Sequence, residues 1–291
     1  MRFTLVAALA GTAILAASPA LAQDMASDTG ERAPFDGLYI GAAGGYDVQS
    51  NDDGSTILFD RGLDGRFGDT VTTAAGANAF GTPVGGFCNG RATAGTSPTS
   101  PTAPARCRND KDGAAYYARV GFDKQMGNVV VGVVGEFGRS EINDSVTAFS
   151  TTPASYTMYR EIDWEGSVRG RAGVAFGDGL FYGTFGPSYA RIDRQFFTTN
   201  TANAFSQRGD RMQFGVTGGG GVEKKLGEHF SVGLEYMYHR YDDNDARVRV
   251  TQGTAAATNP FVLGGAAGTD FRRSDTKFEW HSMRATAAFR F

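Results

Sequence analysis

The histidines and their neighbours are the residues of this 291-residue chain best suited to acid–base chemistry. His281 and Ser282 are adjacent, and neighbouring residues of a β-strand point to opposite faces, so this pair cannot easily act as base and nucleophile. His239 and Glu235 are four residues apart and would share one strand face. With the aspartates after His239 they could form a rim acid/base or metal site, although a solvated loop entrance is the simpler interpretation. We therefore expect no enzyme activity, no catalytic or metal-binding residues and no cofactor.

Charged residues also lie within otherwise apolar segments, in the phase opposite to the apolar side chains. The eight residues of this set are Arg119, Glu136, Glu165, Arg169, Arg171, Glu223, Glu235 and Arg284. Charges at such positions must face bulk water or pair with one another. The pattern predicts an interior network in which arginines pair with glutamates, and a narrow gated ion pathway is the alternative role of the same residues.

The two cysteines, Cys88 and Cys107, lie in one stretch rich in Gly, Thr, Ser and Pro. In an exported chain a disulfide is their expected state. Closing a loop of about 20 residues would stabilise the fold by roughly 3 kcal/mol in the chain-entropy model. We expect the bond to restrain a mobile loop.

In eight segments of strand length, apolar and polar residues alternate with period two. These segments must position the charged and histidine side chains described above. They are residues 36–48, 113–124, 128–139, 162–177, 180–192, 211–223, 229–241 and 275–291. The second, fourth and sixth connections are short (125–127, 178–179 and 224–228), whereas the others are long and the first covers about 49–112. Short turns on one side and long loops on the other are typical of an outer-membrane barrel, with turns in the periplasm and loops outside.

The alternation assigns the faces of these segments. In the fourth segment Ile162, Trp164 and Val168 share the apolar phase, and Glu165 and Arg169 share the other. The fifth segment is ambiguous, because apolar residues occupy both of its phases. A periplasmic β-sandwich would also alternate, but charges in mid-strand favour a barrel with apolar residues towards lipid and charges in the lumen. The predicted fold is all-β: an eight-stranded antiparallel transmembrane up-and-down β-barrel with short periplasmic turns and long extracellular loops.

The first 22 residues have the features of a signal peptide. Arg2 gives a positive start, an apolar core follows, and Ala20-Leu21-Ala22 is a small-x-small cleavage site. Residues 23–291 would then form one barrel domain in the outer membrane of a Gram-negative bacterium. The formal net charge of -3 gives little support to a nucleic-acid partner.

Several motifs resemble a known family. Residues 35–46 resemble the opening strand, 164–173 the central strand and 233–238 the seventh strand of the porin-family, or immunogenic, outer-membrane proteins of alphaproteobacteria. These are relatives of the neisserial opacity adhesins and of the transmembrane part of outer-membrane protein A. The terminal Phe289 and Phe291 resemble the aromatic signal that the barrel-assembly machinery recognises.

The resemblance implies a structural or surface role, in membrane integrity and loop display. A small pore for ions or solutes is one alternative, and a surface adhesin whose long loops bind a host or matrix ligand is another. The expected partners are outer-membrane lipid and lipopolysaccharide, with the assembly machinery and periplasmic chaperones during biogenesis. We expect the long loops to be mobile and to contain no ligand site that can be named from sequence.

Overall fold

The computed structural model describes residues 33–49, 55–82, 84–92, 107–152, 154–263 and 267–291. The predicted signal peptide lies outside these residues. Across the described ranges, no helix is long and apolar enough to cross a membrane.

Eight long strands form the barrel. They are β1 (Gly37–Val48), β6 (Gly113–Met126), β7 (Val129–Ser140), β9 (Ala154–Phe176), β10 (Gly179–Thr198), β12 (Met212–Leu226), β13 (Phe230–Asp242) and β16 (Lys277–Arg290). Each strand pairs antiparallel with the next in this order, and β16 pairs with β1. The sheet therefore closes on itself, and closure satisfies the backbone groups that an open edge would leave unpaired in hydrocarbon. The predicted eight-stranded barrel is confirmed.

Eight shorter strands lie in the long connections of the described chain. They are β2 (Ile57–Asp60), β3 (Gly86–Asn89), β4 (Arg91–Ala92), β5 (Cys107–Arg108), β8 (Asn143–Ser150), β11 (Ala204–Arg208), β14 (Arg247–Thr251) and β15 (Thr269–Arg273). The connection between β1 and β6 covers residues 49–112 and contains four of them.

The three short connections are tight turns that each place a glycine in the left-handed region. Gly127, Gly177 and Gly227 have φ values of 62°, 56° and 71°. A residue with a Cβ would be strained at these positions, so the glycines allow each hairpin to reverse without a longer loop.

The two faces of the barrel have opposite chemistry. Outward-pointing Phe185 and Leu234 are 65% and 62% exposed, whereas inward-pointing Arg169 is fully buried. The ambiguous fifth segment is resolved in the same way, because Phe181 points outward with Phe185 and Leu180 points into the lumen. Apolar residues outside and charges inside are the arrangement of a barrel in lipid.

A β-bulge in β9 corrects the predicted phase of Ile162. Arg191 pairs with Trp164 and Ile192 pairs with Ile162, which leaves Asp163 as an extra residue between the two pairs. The extra residue inverts the alternation, so Ile162 is buried in the lumen while Trp164 keeps its outward position. The expectation that Ile162 shares the lipid-facing phase is therefore wrong.

The long connections fold into a second layer above the barrel, which we call the extracellular cap. It comprises β2, β3, β8, β11, β14 and β15 with the loop-side ends of β9 and β10. Strands β11, β14, β15 and β2 form one sheet, and β8 pairs with both β3 and β9.

A hydrophobic core holds the cap together. Its buried members are Ile57, Phe59, Val71, Ala79, Phe80, Val146, Ala148, Ala154, Tyr156, Met158, Val248, Val250, Phe261 and Phe271. The expectation of mobile loops is therefore wrong for the described residues. Short apolar strands such as Ile57–Asp60 are separated by long Gly- and Ser-rich stretches. The average composition of each loop is therefore that of a flexible segment, and it does not reveal which residues pack into the core.

Candidate functional site in the barrel lumen

Glu136 is the centre of the predicted charge network. Arg169 donates two hydrogen bonds to its carboxylate, at 3.1 and 3.2 Å, and Arg284 donates a third at 2.7 Å. Arg119 lies 3.5 Å away from the same carboxylate. One glutamate on β7 therefore joins arginines from β6, β9 and β16, across the barrel.

A second glutamate, Glu235, completes this central layer. It accepts a hydrogen bond from Arg119 at 3.1 Å and one from the hydroxyl of Tyr182 at 3.0 Å. Arg284 lies 3.8 Å from its other oxygen. Three arginines and two glutamates share one layer, and each arginine contacts at least one carboxylate.

A separate layer lies nearer the periplasmic turns. Arg171 and Arg290 both contact Asp123, at 2.7 and 3.0 Å, and both contact Glu223. The guanidinium of Arg171 also stacks on the ring of Tyr182, 3.8 Å from its centroid. Two arginines thus neutralise two carboxylates within this layer.

The third polar layer lies towards the cap and contains no arginine–glutamate pair of its own. Glu165 accepts a hydrogen bond from Tyr241 at 2.6 Å and lies 3.1 Å from Nδ1 of His239. Because Arg284 can only donate, its contact at 3.4 Å makes Nε2 of His239 an acceptor and leaves Nδ1 to donate to Glu165. The ring of His239 stacks on Trp280 with centroids 4.8 Å apart.

The predicted network is thus divided between layers. All eight predicted residues point into the lumen, but Glu165 pairs with His239 and Tyr241 and not with an arginine. His239 is 1% exposed, so it lies neither at a solvated entrance nor at a rim acid/base site.

Sequence reasoning left Asp123 and Arg290 out of the network. Their signal was present, because each shares the lumen-facing phase of its strand with a charged residue that was included, Arg119 and Arg284 respectively.

Apolar side chains fill both ends of the lumen. At the periplasmic end Phe35 is fully buried against Val130 and Leu180, and the carbonyl oxygen of Phe35 accepts a hydrogen bond from Arg290. At the other end Trp280 packs with Ile162 and other buried side chains. Eight strands enclose an interior about as wide as its side chains, and these side chains occupy it from end to end.

Comparisons with known proteins agree with this geometry. The 31 kDa outer-membrane immunogenic protein of Brucella melitensis is 28% identical over 122 residues, which cover 41% of this chain and 50% of that protein. The 22 kDa outer membrane protein of Rhizobium leguminosarum bv. viciae is 30% identical over 125 residues, or 43% and 51% of the two chains. This chain is an outer-membrane β-barrel protein. Both relatives are named as outer-membrane proteins, and the chain spans about half the length of the curated relatives it matches.

No protein-family model matches the chain. The crystal structure of Ail, the attachment invasion locus protein of Yersinia pestis, in complex with the heparin analogue sucrose octasulfate, covers 88% of this chain and 99% of its own. The TM-score is 0.31 and the sequence identity is 10%.

A cluster of ion pairs lies where the outer-membrane barrel meets its cap. Arg160 donates to Asp144 at 2.6 Å and to Asp243 at 3.2 Å, and Arg273 donates to Asp144 at 2.6 Å. Burial alone would raise the pKa of Asp144, but Arg160 and Arg273 outweigh it and hold this pKa at about 2. The cluster ties β8, β9, β15 and the segment after β13 to one another where the barrel ends.

The cysteines of the outer-membrane barrel lie at one side of the cap. The structure joins Cys88 of β3 to Cys107 of β5, with their Cα atoms 6.3 Å apart. Cys88 packs on Phe149, which belongs to β8. The bond therefore ties the far end of the first long connection to β3, which pairs with β8, and β8 in turn pairs with the loop-side end of β9.

The last two phenylalanines lie on the outer face of the barrel at its periplasmic end. The Phe289 and Phe291 rings contact each other edge to face, 5.2 Å apart, and Phe289 also contacts Phe230. The backbone N–H of Phe291 donates to the carbonyl of Leu38 at 3.0 Å, which extends the pairing of β16 with β1. Both rings are thus positioned at the periplasmic interface of the membrane.

Proposed function

We propose that this outer-membrane protein is a non-enzymatic, non-conducting barrel that anchors a folded cap at the cell surface. The observation that carries the proposal is the continuous packing of the lumen, from Phe35 at one end to Trp280 at the other. Between them lie two layers of paired charges and a third layer in which Glu165 is hydrogen-bonded to His239 and Tyr241.

The energetics of these pairs support a closed lumen. Moving one arginine aside to open a path would leave its carboxylate partner buried and unpaired, at a cost of about 3–5 kcal/mol. Glu136 has three arginine partners, so a path through the central layer would break several contacts at once. The closed state is therefore strongly favoured over an open one.

The arrangement of the histidines supports a role without catalysis. Ser282 is buried in the lumen, while His281 is partly exposed on the outer face and hydrogen-bonded to Tyr236. Within the described ranges, no three His, Cys, Asp or Glu residues come together in a way that could hold a metal ion.

The same proposal names the protein's partners. The exposed apolar outer face, which includes Phe185 and Leu234, contacts outer-membrane lipid and lipopolysaccharide. Phe289 and Phe291 would be read by the barrel-assembly machinery after periplasmic chaperones deliver the chain. Replacement of Phe291 by alanine is expected to lower the amount of folded barrel in the membrane, whereas Phe185→Ala, an exposed aromatic of mid-strand, is the matched control.

Conductance of the mature protein in planar bilayers tests the closed lumen. We expect no steady single-channel current from protein purified from outer membranes and shown to be folded by its mobility shift on boiling. Steady channels whose ion selectivity changes in Arg169→Ala, but not in the exposed control Arg211→Ala, would overturn the proposal and establish a pore.

A further inference from the structure

A shallow groove lies on the outer face of the barrel, across β6, β7, β9, β10 and β12. Its volume is about 630 Å³. Gly166 of β9 forms its floor, and Phe137 of β7 and Tyr189 of β10 are directly opposite this glycine on the two neighbouring strands. Because Gly166 has no side chain, the two aromatic residues form the walls of a slot that is open towards the lipid.

The slot continues along the barrel wall towards the middle of the membrane. Gly135 extends its floor on β7, and a Cβ added there would meet its nearest neighbour, Val120, at 3.8 Å. The groove is therefore open and is not filled by a neighbouring side chain. The residues at its edges are apolar and exposed, as Val168 and Phe214 are. A lipid acyl chain is the ligand that matches an apolar slot in this position.

Polar and amphipathic side chains lie at the cap-side end of the slot. Arg139 is two residues beyond Phe137 on the outward face of β7, and Arg191 is two residues beyond Tyr189 on the outward face of β10. Trp164 of β9 lies between these strands, directly opposite Arg191, and its ring is 5.5 Å from that of Phe137. Tryptophan and arginine at this position are typical of the level of lipid headgroups.

The arginines at this end of the slot are weakly neutralised by the protein. Arg139 is exposed and makes no ion pair with a described residue. Arg191 lies 3.5 Å from Asp163 and 3.6 Å from Asp193, but exposed ion pairs of this kind contribute little. An anionic headgroup above the slot would therefore find a guanidinium without a carboxylate partner.

A second apolar depression lies on the opposite side of the barrel, and it lacks this charged end. It includes Gly44 of β1 and Ala285 of β16. The next outward residues towards the cap on these strands are Tyr46 and Met283, which are uncharged. Only the slot over Gly166 thus combines an open apolar floor with arginines at headgroup level.

We propose that this groove binds lipopolysaccharide, with an acyl chain in the slot over Gly166 and a phosphate group beside Arg139. The inference deepens the proposed function and rests on it, because it requires the cap to lie outside the cell and the slot to face the outer leaflet. The apolar slot accepts the acyl chain, and the phosphate supplies the acceptor oxygens and the negative charge that the guanidinium of Arg139 lacks within the protein.

Tryptophan fluorescence tests the site, because the chain has two tryptophans and they differ in position. Trp280 is fully buried in the lumen, whereas Trp164 lies on the outer face at the groove. The mature protein is refolded in vesicles of phosphatidylethanolamine with brominated acyl chains, which quench the fluorescence of Trp164 on contact. Part of the brominated lipid is then replaced by unbrominated lipopolysaccharide or by the same number of unbrominated phosphatidylethanolamine chains.

Lipopolysaccharide should relieve the quenching more than phosphatidylethanolamine does. We expect a preference of roughly tenfold, which corresponds to about 1.4 kcal/mol. Trp164→Phe should remove the quenching, since Trp280 does not contact lipid.

Two pairs of variants test the two parts of the site. Gly135→Leu places a side chain in the slot and should lower the preference roughly fivefold, whereas Gly44→Leu, which fills the opposite depression, should leave it within about twofold. Arg139→Gln should lower it roughly threefold, and Arg240→Gln, an outward arginine of β13 away from the groove, is its control. The mobility shift on boiling shows that each variant is folded.

Equal relief by lipopolysaccharide and phosphatidylethanolamine, or an unchanged preference in folded Gly135→Leu and Arg139→Gln, would overturn the proposal. Equal relief by phosphatidylglycerol would overturn the assignment to lipopolysaccharide, and equal relief by phosphatase-treated lipopolysaccharide would overturn the role of Arg139. Steady channels in a barrel that keeps the preference would contradict the closed lumen alone, whereas a silent barrel without the preference would contradict the groove alone.

Discussion

The lumen and the cap are both enclosed by β-strands of one chain, yet their cores have opposite compositions. The middle of the lumen is filled by charged side chains, with Arg169 and Arg284 almost fully buried among glutamates. The cap is filled by aliphatic and aromatic side chains such as Ile57 and Phe271. The difference follows from what surrounds each region, because the outer face of the barrel contacts lipid and the outer face of the cap contacts water.

The boundary between the two regions is visible in the strands that cross it. Below the bulge at Asp163 the outward residues of β9 are apolar, and above it they are polar, as at Glu161 and Tyr159. Arg191 of β10 lies 3.5 Å from Asp163 on the same outer surface. The one extra residue at the bulge therefore switches which side-chain phase of β9 faces outward. The switch occurs where the surroundings of the strand change from lipid to water.

The contrast between the charged lumen and the apolar cap predicts that loss of one lumen charge lowers the stability of the protein more than any other change proposed below. Replacement of Glu136 by glutamine would leave Arg169, Arg284 and Arg119 without their shared carboxylate, and should lower the free energy of unfolding by about 4 kcal/mol. Urea titration in lipid vesicles, followed by the mobility shift on boiling, measures this loss.

Glu228 is the matched control for that experiment, because it is exposed at a periplasmic turn. Its replacement by glutamine should change the unfolding free energy by less than about 0.5 kcal/mol. If the two variants were equally stable, the lumen pairs would not hold the barrel together, and the contrast with the cap would fail.

An apolar truncation should act on the cap and spare the barrel. Ile57→Ala removes a buried side chain from the cap core and should destabilise the cap by about 3 kcal/mol. We expect faster protease cleavage of the cap with an unchanged mobility shift of the barrel. Leu58→Ala, on the opposite face of β2, should have little effect, and simultaneous loss of barrel and cap in Ile57→Ala would show that the two regions unfold as one.

The smallest predicted effect is a pH dependence confined to the cap. Burial, and next the negative charge of Asp144, raise the pKa of Asp110 to about 7. Because the unfolded-state pKa is about 3.9, this group favours the folded cap at low pH, and its contribution is lost as the pH rises from about 4 through about 7.

Urea midpoints of the cap at pH 5 and pH 8 measure this dependence. The wild type should be less stable at pH 8, and Asp110→Asn should reduce the difference because asparagine does not titrate. Its amide oxygen can still accept the hydrogen bonds from Ser145, so the local structure should be kept. A pH difference of the same size in the variant would assign the effect to another group.

The sequence predicted the strands and their order of pairing well. Period-two alternation and the contrast between short and long connections were sufficient for all eight barrel strands, although β9 and β10 continue further into the cap than the segments 162–177 and 180–192 suggested. The phase of β10 could not be predicted, because Leu180 packs against Phe35 in the lumen while Phe181 faces lipid. Both faces of that strand are apolar at its periplasmic end, so alternation carries no information there.

The polar phase of each strand, by itself, determined which charged residues enter the lumen, since a side chain's face follows from its position in the strand. Their partners were decided by the tertiary structure, because contacts such as Glu136 with Arg284 join strands that are not neighbours in the sheet. The cap core was decided in the same way. Its buried residues come from three different connections and from the loop-side end of β9, and they meet only when the barrel closes and brings these segments to one end.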